Sequence, residues 1–100
     1  MNTKDESITD LVCRLRKELG SSFPEIIDYW EADLFAIGFK REDRMIYVAT
    51  FNYRHVHPAR YDIDLEILSQ EEPDNLQVVR EDRNISFEQL LTTLRNFLAL

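Results

Sequence analysis

The chain has little of what secreted, membrane and disulfide-stapled proteins depend on. Its 100 residues include one cysteine, two glycines and three prolines. Cys13 alone excludes a disulfide within the chain and cannot hold a structural zinc ion. No run of about 20 apolar residues is present to cross a bilayer. Residues 1–6 have neither the basic start nor the apolar core of a signal peptide, so we expect a cytoplasmic protein.

The signatures of common catalytic sites are also missing. The two glycines form no phosphate-binding loop, and no serine lies in a Gly-x-Ser-x-Gly turn. No quartet of zinc ligands is present, and Cys13 has no neighbour in the sequence that would activate its thiol. We therefore predict a protein that is not an enzyme and has no cofactor.

Charge is the most uneven property of the chain. The net charge is −7, and residues 61–76 hold six acids and no lysine or arginine. Such a surface repels nucleic acid and anionic membranes and attracts basic partners, so neither of the first two is expected to bind. The competing interpretation is a solvated face that only improves solubility. With 44% hydrophobic and 31% charged residues, the chain is typical of one globular domain covering 1–100.

The acidic segment also predicts how a sheet is oriented. Residues 61–67 alternate with period two, as a half-buried strand does. Its apolar face would comprise Tyr61, Ile63, Leu65 and Ile67. Its acidic face would comprise Asp62, Asp64 and Glu66. Burial of each large apolar side chain is worth roughly 1.5–3 kcal/mol, whereas carboxylates about 7 Å apart repel by only about 0.6 kcal/mol in water. The apolar face therefore points inward, and we expect the carboxylates to form one solvent-facing patch.

Two amphipathic helices flank the central region. Residues 5–19 have apolar residues at helical spacing, with Thr3 and Glu6 or Ser7 alone as the N-terminal cap and Gly20 as the stop. Cys13, beside the apolar stripe, is expected to be buried or half-buried. The second helix begins after Ser86, and its apolar stripe comprises Phe87, Leu90, Leu91, Leu94, Phe97 and Leu98. Gln89 completes a Ser-x-x-Gln capping box with Ser86.

The region between the helices predicts a meander. We assign residues 25–30 to a short helical turn after Pro24, although a strand also suits them, and Trp30 to the core. Two strands follow, over 34–40 and over 45–53. The first is nearly all apolar, so we expect it to be covered on both faces for part of its length. A turn at 53–59 leads to the acidic strand, and 76–80 resembles a fourth strand. The predicted fold is α+β, an antiparallel three- to four-stranded meander with N- and C-terminal helices packed on one face.

A pair of histidines offers the strongest candidate for metal binding. His55 and His57 would share one side of an extended segment, with Asp62 and Asp64 across the turn, as in a small metal-dependent hydrolase. Arg54 and Pro58 flank the pair in a predicted loop, which favours simple exposure. We retain the hydrolase as an alternative.

The order and texture of several segments carry a family resemblance over residues 25–98. The segments are Tyr29-Trp30, Asp33–Phe39, Met45–Phe51 and Tyr61–Glu66. In this the chain resembles the small immunity proteins encoded beside bacterial contact-dependent growth inhibition and other polymorphic toxins. The resemblance implies a cytoplasmic antitoxin that binds the C-terminal toxin domain of an effector, often a nuclease. A basic, nucleic-acid-handling toxin would complement this acidic chain.

The predicted partner-binding surface combines the acidic strand, the polar loop that follows it and the turn that precedes it. It comprises Asp62, Asp64, Glu66, Glu71, Glu72, Asp74, Tyr53, His55 and His57. Carboxylates would supply association rate and orientation, and an aromatic such as Tyr53 would supply a desolvated anchor. The main rival function is an acidic chaperone of a secreted effector, which would bind an unfolded stretch in an apolar groove.

Overall fold

The structure is a computed structural model that describes residues 4–28, 31–68 and 76–100. In chain order its helices and strands are α1 (Glu6–Leu19), β1 (Glu25–Ile27), β2 (Ala36–Arg41), β3 (Arg44–Ala49), β4 (Tyr61–Leu68), β5 (Leu76–Ile85) and α2 (Phe87–Leu98). Short 3-10 turns cover Gly20–Ser22 and Phe51–Tyr53. The described strands form one antiparallel sheet in the order β1-β2-β3-β4-β5. The predicted α+β meander with helices at both ends is thus confirmed, with five strands instead of three or four.

The additional strand is β1, and it corrects the helical turn predicted for residues 25–30. Ile26 pairs with Phe39 of β2, and Glu25 and Ile27 pair with its neighbours. A helical turn would leave the outer edge of β2 without these hydrogen bonds, and residue propensities alone could not show that β2 is next to this segment. Trp30, predicted to be a core residue, lies outside the described residues.

One face of the sheet carries the core together with both helices. Cross-strand neighbours on this face include Ile46 with Leu65 and Val48 with Ile63. The buried cluster comprises Ile8, Leu11, Leu15, Leu19, Ile37, Phe39, Ile46, Val48, Tyr61, Ile63, Leu65, Phe87, Leu90, Leu94 and Leu98. The predicted apolar face of β4 therefore points inward, with Ile67 partly exposed near its end. The apolar stripes of both helices are buried in this cluster.

Helix α1 begins and ends with side-chain and backbone caps. Asp5 is the N-cap in place of the predicted Ser7, because its carboxylate accepts a hydrogen bond from the Ser7 backbone N–H at 3.0 Å. The alternative cap residue, Thr3, lies outside the described residues. Gly20 ends the helix as predicted, with a positive φ of 52°. Cys13 is exposed, which corrects its predicted burial, since α1 buries a narrower stripe than the sequence pattern suggested.

Helix α2 begins with the predicted capping box. The Ser86 hydroxyl accepts a hydrogen bond from the Gln89 N–H, and the Gln89 side chain accepts one from the Ser86 N–H. At the other end, Arg44 donates to the Phe97 carbonyl at 3.0 Å and Arg41 donates to the Leu98 carbonyl at 3.2 Å. These cations satisfy carbonyls that the last helical turn leaves without a partner. The β2–β3 hairpin is thereby fixed to α2.

The strands also differ from the predicted ones in length. Strand β3 ends at Ala49, where a strand to residue 53 was predicted, and β5 continues to Ile85, beyond the predicted end at Arg80. In β2 the four residues 36–39 are buried, which confirms the prediction that both faces are covered there. Neither helix of the described part is long and apolar enough to span a membrane.

Candidate functional site

The predicted acidic surface lies on the sheet face that points away from the helices. The side chains of Asp62, Asp64 and Glu66 alternate with buried core residues along β4, and all three are partly exposed. We call these three residues the acidic stripe. Tyr53, His55 and His57 lie in the loop over 50–60 that precedes β4. Glu71, Glu72 and Asp74 lie outside the described residues.

Asp62 is the most strongly bound member of the acidic stripe. Its carboxylate accepts hydrogen bonds from the Tyr53 hydroxyl at 2.6 Å, the Asn52 side-chain amide at 2.9 Å and the Asn84 backbone N–H at 3.1 Å. Partial burial alone would raise the pKa of Asp62, but hydrogen bonds from Tyr53, Asn52 and Asn84 outweigh burial and hold it below its ordinary value. Asp62 therefore joins the loop to both β4 and β5.

Asp64, the next carboxylate of the stripe, forms an ion pair with β5. The Arg83 guanidinium lies 3.1 Å from an oxygen of Asp64 and 3.5 Å from one of Glu81. The same arginine donates to the Ile63 carbonyl at 2.9 Å. The stripe is therefore not the freely solvated patch that the alternation predicted. Arg83 could not be included in that prediction because the fourth strand was expected to end at Arg80.

Glu66, the third carboxylate of the stripe, lies in an environment that disfavours its negative charge. Its neighbours in the register are Met45 on β3 and Val78 on β5, and neither carries a charge. Desolvation by burial, followed by repulsion from Asp64, raises the pKa of Glu66 above its ordinary value. A positive charge placed beside Glu66 would lower its pKa again.

The raised pKa predicts the effect of replacing Glu66 with glutamine. Folding favours the protonated form of Glu66. The stability that this form contributes is complete below the unfolded pKa of about 4.3 and is lost as pH rises through the folded pKa. Glu66→Gln should therefore raise the free energy of unfolding at pH 7 by roughly 0.5 kcal/mol or less, after allowance for solvent screening. Thermal melts at pH 7 and pH 4 measure this difference.

A matched control for this prediction is Glu81→Gln. Glu81 lies opposite Asp64 in the register and is exposed, so its replacement removes the same charge from the same sheet. Glu81→Gln should not show the increase in the free energy of unfolding at pH 7, absent at pH 4, that we expect for Glu66→Gln. Equal gains for both variants would show that net charge, and not the environment of Glu66, is responsible.

The two histidines are exposed and are not brought together with the acidic stripe as ligands. His55 and His57 lie in the loop, and the peptide bond between His57 and Pro58 is cis. Across the described ranges, no group of three or more His, Cys, Asp or Glu side chains is placed to hold a metal ion. Of the loop residues predicted for the site, Tyr53 is the one that contacts Asp62.

Sequence reasoning missed an exposed apolar cluster beside the stripe. The Phe35 and Phe51 rings meet edge to face with centroids 5.4 Å apart, and the Arg54 guanidinium lies 3.7 Å from the Phe51 centroid. Exposure is 54% for Phe51, 48% for Val56 and 39% for Leu34. We call these five residues the Phe51 cluster. An available signal was the run of two aromatics and an arginine within Phe51–Arg54, since protein-binding hot spots favour such residues.

The base of the Phe51 cluster is fixed to the rest of the fold. Thr50, which is buried, donates its backbone N–H to the Phe35 carbonyl at 2.9 Å, and its hydroxyl lies 2.7 Å from that of Ser7. The Asp5 N–H donates to the Leu34 carbonyl at 2.8 Å. With Asp62 holding the other side of the loop, the cluster is supported by the start of α1 and by β4.

The site therefore combines partly exposed carboxylates on β4 with an exposed cluster of aromatic, aliphatic and arginine side chains in the neighbouring loop. Comparison with protein-family models found no matching family, and comparisons with curated proteins and with solved structures found no match.

Proposed function

We propose that this protein is an immunity protein that acts in the cytoplasm. It binds and neutralises the C-terminal toxin domain of a polymorphic toxin, and we propose that this domain is a nuclease. The observation that carries the proposal is the partly exposed acidic stripe on the sheet face that points away from the helices. It supports the proposal together with the net charge of −7 and the resemblance of the segment order to such immunity proteins.

Electrostatics make a nuclease domain a suitable partner. A protein that binds nucleic acid presents lysines and arginines to the phosphate backbone, and an acidic protein surface can take the place of that backbone. Complementary charge raises the association rate and fixes the orientation of the complex. Inhibition then follows because the bound protein occludes the basic surface that the substrate needs.

The members of the stripe contribute differently to this function. Asp62 already accepts three hydrogen bonds within the protein, so its main contribution is to hold the loop. Asp64 shares its charge with Arg83, and Glu66 lies next to uncharged residues. Asp64 and Glu66 are therefore the carboxylates that a basic partner would contact.

Charge reversal at these two positions tests the proposal. Asp64→Lys with Glu66→Lys should weaken binding to the toxin domain encoded beside this gene at least tenfold, and should reduce the salt dependence of the affinity. The matched control is Asp10→Lys with Glu18→Lys, which makes the same charge change at exposed positions of α1. The control should retain most of the affinity. Titration calorimetry at several salt concentrations measures both variants.

Three outcomes would contradict parts of this proposal. If the wild-type protein does not bind the toxin domain, the immunity function is wrong. If it binds and the charge-reversed variant behaves like the wild type, the acidic stripe is not the contact surface. If it binds only an unfolded segment of the effector, the protein is a chaperone of a secreted effector.

A further inference from the structure

The Phe51 cluster leaves a large part of its apolar surface exposed to solvent. Phe51 contacts Phe35 at its edge and Arg54 on its face, yet 54% of the residue remains exposed. Single exposed apolar residues are ordinary, but here Leu34, which precedes Phe35 in the chain, and Val56, which lies in the same loop as Phe51, are exposed as well. Aromatic residues with an arginine are the composition enriched at the energetic centre of protein interfaces.

The cluster is also organised before any partner arrives. Arg54 donates to the Phe51 carbonyl at 2.8 Å while its guanidinium covers the ring, and Val56 N–H donates to the Tyr53 carbonyl at 3.0 Å. Tyr53 in turn donates to Asp62. A loop held this way loses little conformational entropy on binding, and the entropy of ordering is one of the main costs of association.

The position of the cluster indicates which partner would cover it. Asn52 and Tyr53 follow Phe51 directly and bind Asp62, the first carboxylate of the acidic stripe. From Asp62 the stripe extends about 13 Å along β4 to Glu66. A protein interface of ordinary size buries about 800 Å² on each partner, enough to include both surfaces. One folded partner would therefore place basic side chains over the stripe and an apolar pocket over the cluster.

We infer that the Phe51 cluster is the apolar anchor of the toxin interface: the Phe51 ring enters a pocket on the folded, basic toxin domain, and Arg54 donates to an acceptor at the rim of that pocket. This inference rests on the proposed immunity function and adds the residue that holds the complex together. The acidic stripe governs how fast the two proteins meet, and Phe51 governs how slowly they separate.

Phe51→Ala tests the inference against the control Val79→Ala, which removes an exposed apolar side chain from β5 (48% exposed). A catalytically inactive form of the toxin domain is the binding probe. Phe51→Ala should raise Kd at least tenfold, chiefly through faster dissociation, while the salt dependence stays as in the wild type. Val79→Ala should change Kd by less than twofold. Arg54→Ala, which keeps the ring, should give an intermediate loss.

The outcomes separate this inference from the proposed function. If the wild type binds and Phe51→Ala binds within twofold of it, the anchor is wrong while the immunity function stands. Equal losses for Phe51→Ala and Val79→Ala also overturn the anchor, because they show no preference for the cluster. If the wild type does not bind, both proposals fail. A thermal melt of each variant confirms that the compared proteins are folded.

Discussion

Replacing Phe39 with alanine is expected to lower the free energy of unfolding by about 3–5 kcal/mol, as for other large aromatic side chains deleted from a protein core. Phe39 has no exposed surface. Its ring meets Phe23 edge to face at 6.0 Å, and its strand neighbours are Ile26 on β1 and Ile46 on β3. Deletion would open a cavity shared by two strands and the segment after α1. A domain of this size has a total stability of only about 5–15 kcal/mol.

The chain offers a matched control of the same residue type. Phe51→Ala makes the same chemical change at a residue that is 54% exposed. It should lower stability by about 1 kcal/mol, since it loses the ring contacts with Phe35 and Arg54 at an exposed site. Urea unfolding monitored by circular dichroism measures both variants. If Phe39→Ala does not fold, Phe39→Leu should fold with a smaller loss. A loss below 1 kcal/mol for Phe39→Ala would show that this core position repacks.

The contrast between Phe39 and Phe51 also shows how far the sequence predicts the fold. Period-two alternation correctly predicted which side of β4 is buried, because a half-buried strand has only two faces and one carried carboxylates. Helical spacing and the capping box at Ser86 likewise predicted α2. These signals are local, so a single chain displays them without knowledge of its neighbours.

The errors arose where a partner distant in the sequence decides the structure. Residues 25–27 form a strand because β2 lies beside them, ten or more residues further along the chain. The strand predicted over 45–53 included Phe51, yet Thr50 has helical backbone angles and β3 ends at Ala49. Asp62 and Asp64 were placed on the correct face, but their donors Asn84 and Arg83 come from a stretch predicted to lie beyond the sheet. The alternation of residues predicts which face of β4 a carboxylate lies on, but contacts from β5 decide whether its charge is already paired.

Asp62→Ala is expected to be the most damaging change in the acidic stripe, with a loss of about 2 kcal/mol in the free energy of unfolding. The substitution leaves the Tyr53 hydroxyl, the Asn52 amide and the Asn84 N–H without their acceptor. Hydrogen bonds to a charged group are worth about 1.5–3 kcal/mol, and partial exposure keeps the total near the lower part of that range. Because the pKa of Asp62 is lowered by folding, its contribution is present above the unfolded pKa of about 3.9 and is lost as pH falls through the folded value.

Asp64→Ala separates this structural contribution from charge. It removes one carboxylate from the same face of β4, but the carboxylate is 37% exposed and its partner Arg83 is 50% exposed, so the loss should be at most about 1 kcal/mol. Urea unfolding at pH 7 and pH 3 compares the two variants, and the difference between them should shrink at the lower pH. Amide exchange at Val56, whose N–H donates to Tyr53, should accelerate in Asp62→Ala alone. Equal exchange in both would mean that Asp62 does not hold the loop, and the Phe51 cluster would lose the rigidity that makes it a suitable anchor.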